Sequence, residues 1–203
     1  MSGRSKLLKV VLIGDGGVGK SSLMTRFVSN KFDSQSFHTI GVEFLNKDVT
    51  VGGDRYTMQI WDTAGQERFK SLRTPFYRGA DICLLTFAVN DLRSFENLTM
   101  WKREFLYFAD IKECSMFPFV ILGNKVDMPN REVEEDLVRI WCAGNGNAPY
   151  FETSAKDSTN VEHAFVSAVS HLREMEDQLD VKPMQSKSVH LSYKTSSSSG
   201  CCS

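Results

Sequence analysis

Apolar residues in this chain gather into short dense runs, which alternate with sparser stripes at helical spacing. That alternation predicts strands interleaved with helices. Leu7 to Ile13 is a compact run rich in β-branched residues, as expected of a strand covered on both faces. After a glycine-rich turn, Leu23, Met24 and Phe27 recur at helical spacing. Asn30 to Thr39 is polar and aperiodic and reads as a loop. Ile40 to Val51 alternates loosely up to Gly52-Gly53-Asp54, a turn signal. Arg55 to Trp61 then resumes, with Tyr56, Met58 and Ile60 on one face. These two stretches predict a hairpin whose Val42–Val51 arm is an antiparallel edge strand. Ile82–Val89, Phe119–Gly123 and Tyr150–Thr153 predict three more strands. Pro75 interrupts a weakly helical stretch ahead of Arg78-Gly79. Stronger helices are predicted from Ser94, as N-cap, through Phe95, Leu98, Trp101, Phe105 and Phe108. Two more are predicted over Glu134–Cys142 and over Val161–Met175, the last with Val161, Phe165, Ala168, Val169 and Leu172 near the 3.6 period.

Six strands and about five helices in this order predict an α/β fold. The expected architecture is a three-layer sandwich around a six-stranded, mostly parallel sheet with one antiparallel edge strand. Ligands of such sheets sit at the carboxyl ends of the strands. The periodic signal stops near Asp177, and Ser196 to Gly200 is of low complexity. Residues 1–176 are therefore expected to form one domain and residues 177–203 a flexible tail.

Composition narrows the function classes. The chain has 203 residues, of which 41% are hydrophobic, enough for a sizeable core. A net charge of -1 gives no field that would favour nucleic acid, so no nucleic-acid partner is expected. No run approaches the length of a membrane span, and neither a signal peptide nor N-myristoylation is indicated. Cys83, Cys114 and Cys142 have no metal-type spacing and read as small buried hydrophobes. Cys201 and Cys202 stand side by side near the end of the tail, where packing gives no reason for them.

The chemistry lies in the turns that follow the strands. Gly14-Asp15-Gly16-Gly17-Val18-Gly19-Lys20-Ser21 fits G-x-x-x-x-G-K-[ST] between a strand and a helix. Its glycines let the backbone curl so that several N–H groups face one anion, and the following helix adds its positive end. Lys20 would meet the β- and γ-phosphates, and the Ser21 hydroxyl would bind Mg²⁺. Asp62, at the end of its strand, suits the Mg²⁺ shell. Gly65 can offer an N–H to a γ-phosphate, and Gln66 can orient an attacking water. Thr39 could supply a second hydroxyl to the metal. In Asn124-Lys125-Val126-Asp127, the Asp127 carboxylate can accept from N1 and the 2-amino group of guanine. Adenine has neither hydrogen and would leave it partly unpaired. Asn124 would tie loops together, Lys125 would lie along the base, and Ser154-Ala155-Lys156 could cover it, with Ala155 N–H on the guanine oxygen. Phe32 could stack on the other face.

Taken together, Gly14–Ser21, Thr39, Asp62–Gln66, Asn124–Asp127 and Ser154–Lys156 resemble the Ras-like small GTPases over roughly residues 7 to 175. Ile40–Phe44, Trp61–Phe69 and Phe76–Ala80 look like the Rab branch, and Phe37–Asp48 is similar to its late-endosomal subgroup, which works in endosome-to-Golgi transport. The resemblance implies a P-loop NTPase fold and slow hydrolysis of GTP to GDP with Gln66 and Lys20 as catalytic residues. It implies a nucleotide held by Gly16, Gly17, Val18, Gly19, Lys20, Ser21, Ser22, Phe32, Asp33, Ser34, His38, Thr39, Gly65, Asn124, Lys125, Asp127, Ser154, Ala155 and Lys156, and Mg²⁺ held by Ser21, Thr39 and Asp62. The γ-phosphate would order residues 33–44 and 64–79. Effectors would then read Ile40, Gly41, Val42, Glu43, Phe44, Trp61 and Phe76, of which Phe44, Trp61 and Phe76 look like an exposed hydrophobic triad.

The implied partners are effector proteins, a guanine-nucleotide exchange factor, a GTPase-activating protein, a GDP-dissociation inhibitor and a Rab escort protein. The implied location is the cytoplasmic face of late-endosomal and trans-Golgi membranes, with a cytosolic pool. The tail resembles Rab tails that take geranylgeranyl groups on a cysteine pair, here Cys201 and Cys202, although Ser203 follows them. A second departure is Ser36, where many relatives carry an aromatic over the phosphates. No arginine is evident in cis for the transition state, and Arg68 and Arg73 read as loop surface. Two other readings stay open on the motifs themselves: a P-loop enzyme of another class, such as a nucleotide or metabolite kinase, which would lack Asn-Lys-x-Asp, and a nucleotide-binding scaffold that does not hydrolyse.

Overall fold

The computed structural model describes residues 5–34, 39, 41–65, 70–112 and 117–180. Six strands form one sheet: β1 (Lys6–Ile13), β2 (Val42–Val51), β3 (Asp54–Thr63), β4 (Ile82–Ala88), β5 (Phe119–Asn124) and β6 (Tyr150–Glu152), in the order β2-β3-β1-β4-β5-β6. Only β2 runs antiparallel, against β3; the other pairs are parallel. The helices are α1 (Lys20–Ser29), α2 (Lys70–Arg73), α3 (Leu92–Glu96), α4 (Leu98–Phe108), α5 (Glu135–Ala143) and α6 (Val161–Asp180), with a 3₁₀ turn over Thr74–Phe76.

Side-chain alternation along the central strands divides the interior into two cores. Leu8, Val10, Leu12, Leu84, Val120 and Leu122 face α1 and α6, where they meet Leu23, Phe27, Ala164, Phe165, Ala168 and Val169. Phe27 and Phe165 stack with ring centroids 4.3 Å apart. Val11, Ile13, Cys83, Leu85, Phe87 and Ile121 face the opposite layer, packing on Phe95, Leu98, Trp101, Phe105, Val138 and Cys142. Every residue of β4 and β5 is therefore buried, which explains their unbroken apolar runs. Burial of one such large side chain stabilises the fold by about 1.5–3 kcal/mol. Cys83 and Cys142 pack as hydrophobes, and burial raises both thiols, Cys142 to about 11. Cys114 lies outside the described residues.

Three local expectations change. Ser94 is not the N-cap: Asp91 is, its Oδ1 accepting from Ser94 N–H at 3.2 Å. Ser94 is buried instead, and its Oγ accepts from Ala88 N–H at 3.0 Å, tying the helix to the end of β4. The expected single helix is two segments meeting at Asn97, which keeps helical dihedrals. Helix α6 continues to Asp180, beyond Met175, because helical hydrogen bonding outlasts the apolar stripe and Glu176 pairs with Lys6 of β1 at 2.7 Å.

Candidate functional site

The carboxyl ends of β1, β3 and β5, together with the loop after β6, converge on one cavity of about 420 Å³. At its floor the chain leaves β1 and turns into α1. Gly19 sits at φ 97°, and a Cβ there would come within 2.4 Å of Asn124 Nδ2, so both conformation and space demand glycine. Lys20 is buried, and its Nζ donates to the carbonyls of Gly14 (2.9 Å) and Asp15 (2.8 Å), which holds the ammonium inside the loop it closes. Burial lowers its pKa to about 8 against the opposing pull of Asp62 and Asp15.

Beside it, Ser21 Oγ donates to Asp62 Oδ2 at 2.5 Å and Thr39 Oγ1 donates to the same oxygen at 3.2 Å; the two hydroxyls are 2.7 Å apart. Burial raises the Asp62 pKa, opposed by Lys20 and by the Ser21 and Thr39 hydrogen bonds. Asp62 Oδ1 is buried and has no hydrogen-bond partner among the described residues. Hydroxyl and carboxylate oxygens gathered at one point, one of them orphaned, form a hard-donor set that fits Mg²⁺ completed by phosphate oxygens and water. Gly65 closes this end. Its backbone passes so near the phosphate loop that a Cβ would lie 2.4 Å from the Asp15 carbonyl carbon.

At the other end, buried Asn124 links three loops. Its Nδ2 donates to the Val18 carbonyl at 2.8 Å, and its Oδ1 accepts from Ala155 N–H at 3.2 Å and Thr153 Oγ1 at 3.4 Å. Asp127 Oδ1 accepts from Ser154 Oγ at 2.7 Å, and Lys156 Nζ lies 3.9 Å from its Oδ2. Ser154 is thus a buried support that aims Asp127 rather than a wall of the cavity. Val18 likewise serves through its carbonyl. Gly16, Gly17, Gly19, Lys20, Ser21, Ser22, Phe32, Asp33, Ser34, Thr39, Gly65, Asn124, Lys125, Asp127, Ala155 and Lys156 all line the cavity. Asp62 lies beneath it. Gln66, His38, Ser36, Arg68 and Ile40 lie outside the described residues.

The family of the chain follows from this arrangement and from one comparison. The sequence profile of the Ras family matches residues 9–174. The chain belongs to the Ras family. Its relatives place it in the Rab branch: the Ras-related protein Rab-9A of Homo sapiens is 62% identical over 202 residues, covering 100% of both chains. Rab-9B of Mus musculus is also 62% identical over the same coverage. Rab7 of Cenchrus ciliaris is 48% identical over 204 residues, 99% of each chain. This Ras-family protein is therefore a Rab-type GTPase that cycles between GTP and GDP, and as a class Rab GTPases work with effectors, exchange factors, activating proteins and GDP-dissociation inhibitors.

Three features of this Rab escaped the sequence reading. Met128 also lines the cavity, and as an exposed apolar residue one place beyond Asp127 it carried no motif signal. Asp15 accepts from Trp101 Nε1 at 2.6 Å and from Asn97 Nδ2 at 2.7 Å, anchoring the phosphate loop to α4 and its N-cap. Arg73 is not loop surface: it is 1% exposed, pairs with Glu104 at 3.1 Å and lies 4.4 Å from the Trp101 ring centroid. Its apolar surroundings come from α4, which periodicity shows as a core helix without showing that it carries a carboxylate inward. On the neighbouring surface, Phe44 is 50% exposed. Trp61 lies between Phe44 (4.8 Å) and Phe76 (5.3 Å), so the three aromatics of the expected triad do meet. Val42 and Glu43 precede Phe44 on β2, with Gly41 leading into that strand.

Proposed function

We propose that the cavity holds a guanine nucleotide with Mg²⁺, and that the protein uses it as a membrane-attached switch in transport from late endosomes to the trans-Golgi. One observation carries the nucleotide reading. The Asp127 carboxylate, aimed by Ser154, faces the same cavity as Lys20 and the glycine loop, so base and phosphates have complementary walls in one site.

Ser21, Thr39 and Asp62 would hold Mg²⁺, which when bound supplies positive charge to the β- and γ-phosphate oxygens. Lys20 neutralises the charge that develops on those oxygens. Gly65 offers its N–H to the γ-phosphate, and Gln66 orients the water that attacks it. Among the described residues no arginine lines the cavity, and Arg73 is engaged by Glu104. Without a partner's arginine, turnover is on the order of 10⁻⁴ to 10⁻³ s⁻¹. Contacts of the γ-phosphate with Thr39 and Gly65 would order residues 33–44 and 64–79, which flank the Phe44–Trp61–Phe76 patch, and hydrolysis would release them. Effectors that sense the GTP state then dock on that patch and on Ile40 to Glu43. Geranylgeranyl groups on Cys201 and Cys202, delivered with a Rab escort protein, attach the domain through the tail that begins at residue 177, whose first residues to Asp180 continue α6. A GDP-dissociation inhibitor maintains a cytosolic pool.

The test is nucleotide competition followed by single-turnover phosphate release. GTP and GDP should displace a bound fluorescent guanine nucleotide and ATP should not. Gln66→Leu should retain GTP yet release phosphate at least about tenfold more slowly in the presence of an activating protein. Displacement by ATP would contradict the site, and unchanged release would remove Gln66 from the reaction.

A further inference from the structure

Arg26 sits on the last turn of α1, behind the cavity wall, and lines no part of the nucleotide cavity. Its guanidinium nevertheless donates to four oxygens: Nε to the Ala155 carbonyl (2.8 Å), Nη2 to the Lys156 carbonyl (2.8 Å), and Nη1 to the carbonyl (2.9 Å) and Oδ1 (3.1 Å) of Asn30. The acceptors belong to two stretches far apart in sequence. Ala155 and Lys156 form one wall of the cavity. Asn30, left-handed at φ 54°, starts the stretch that carries Phe32 into the other wall. One side chain therefore fixes both walls of the slot.

The grip also reaches the carboxylate. In a trans peptide, C=O and N–H point in opposite directions. A Lys156 carbonyl drawn onto Arg26 turns the Asp157 N–H the other way, where it donates to Ser154 Oγ at 3.2 Å. Ser154 Oγ in turn donates to Asp127 Oδ1 at 2.7 Å. A continuous line of hydrogen bonds thus runs from Arg26 to the group that distinguishes guanine.

We propose that Arg26 is a positioning residue for base recognition: it holds residues 155–157 and Asn30 so that the Asp127 carboxylate presents its oxygens to the base edge. The proposal rests on the reading of the cavity as a guanine-nucleotide site. The planar fork of an arginine suits this role, because it aims its donors at all four acceptors at once, whereas the single ammonium of a lysine can reach only some of them.

The experiment uses the full chain in excess Mg²⁺ with Arg26→Met and Arg26→Lys. Release of GDP labelled on its ribose is timed first. Arg26→Met should release it about tenfold faster, and Arg26→Lys should recover only part of the loss. The second measurement is the affinity ratio of GDP to inosine diphosphate, which lacks the 2-amino group that Asp127 accepts. That ratio should fall in Arg26→Met, because a misaimed carboxylate gains less from the amino group. A merely structural arginine would weaken both nucleotides equally. An unchanged release rate, or faster release with an unchanged ratio, overturns the proposal. Should Arg26→Met fail to fold, Arg26→Lys decides by the same two criteria. A wild-type protein with no preference for GDP over inosine diphosphate would overturn the guanine reading itself, a failure visible before any substitution is made.

Discussion

Lys20 shows how much a single residue is asked to do. Its ammonium is buried, satisfied by two carbonyls of its own loop, and held at a pKa of about 8 because burial disfavours the charge. An ordinary lysine titrates near 10.5. Between these values the unfolded chain binds more protons than the empty fold, so the stability of the nucleotide-free protein should rise with pH across that window. Phosphates bound against Lys20 would restore the charged form by direct attraction. GDP binding at pH 8.5 should therefore take up a fraction of a proton that is not taken up at pH 6.5. Calorimetric titration in buffers of different ionisation enthalpy measures this directly, and equal uptake at both values would remove Lys20 from the phosphates. The motif around Lys20 was fully legible in the sequence, because a loop of glycines has few other reasons to precede Lys-Ser. Asp62 was legible only beside it. Thr39 had no signal of its own and owes its place to the fold, which brings it 3.2 Å from Asp62.

At the scale of elements, the segment from Lys70 to Tyr77 is joined to α4 by a buried polar cluster. Arg73 and Glu104 are 2% and 6% exposed in their side chains, Tyr77 Oη donates to Glu104 at 3.3 Å, and Arg73 Nη1 donates to the Ala64 carbonyl at 3.4 Å. Removing one partner leaves a charge stranded in an apolar interior. Glu104→Ala should destabilise the GDP-bound protein by about 3–5 kcal/mol, whereas Arg73→Met combined with Glu104→Leu should lose far less. Chemical denaturation of the single and double variants decides, and equal losses would mean that packing matters there rather than charge. Periodicity fixed the existence of α4 and its apolar stripe from Leu98 to Phe105. It could not show Glu104 turning inward, because a charged residue in a helix is most often on the solvent face. The misassigned N-cap has a similar cause: Asp91 and Ser94 both suit the start of a helix, and only the depth of Ser94 separates them.

For the whole molecule, the layered α/β architecture was readable because both faces of the central strands are covered and their apolar runs are unbroken. The convergence of distant loops was readable because each motif follows a strand. What could not be read is the support behind the site: Arg26, Asn97 and Trp101 act through contacts between elements far apart in the chain. The proposed attachment to membranes also belongs to this scale. Replacing both Cys201 and Cys202 with serine should move the protein from the membrane to the soluble fraction of cells without changing its GTP affinity, and replacing one should leave weaker, reversible attachment. Fractionation with a nucleotide-binding assay checks both halves, and full membrane recovery of the double variant would exclude the lipid anchor.

The position of β2 at the end of the sheet has a consequence for life at high concentration. Its outward row of amides and carbonyls is a template on which another extended chain could settle, and two copies meeting there would zip together. Glu43, Lys47 and Asp48 punctuate that strand with charge of both signs, and Lys47 is held down by Glu162 at 2.8 Å. Charges of this kind make self-assembly along the rim costly, while Phe44 and Leu45 remain exposed to a partner.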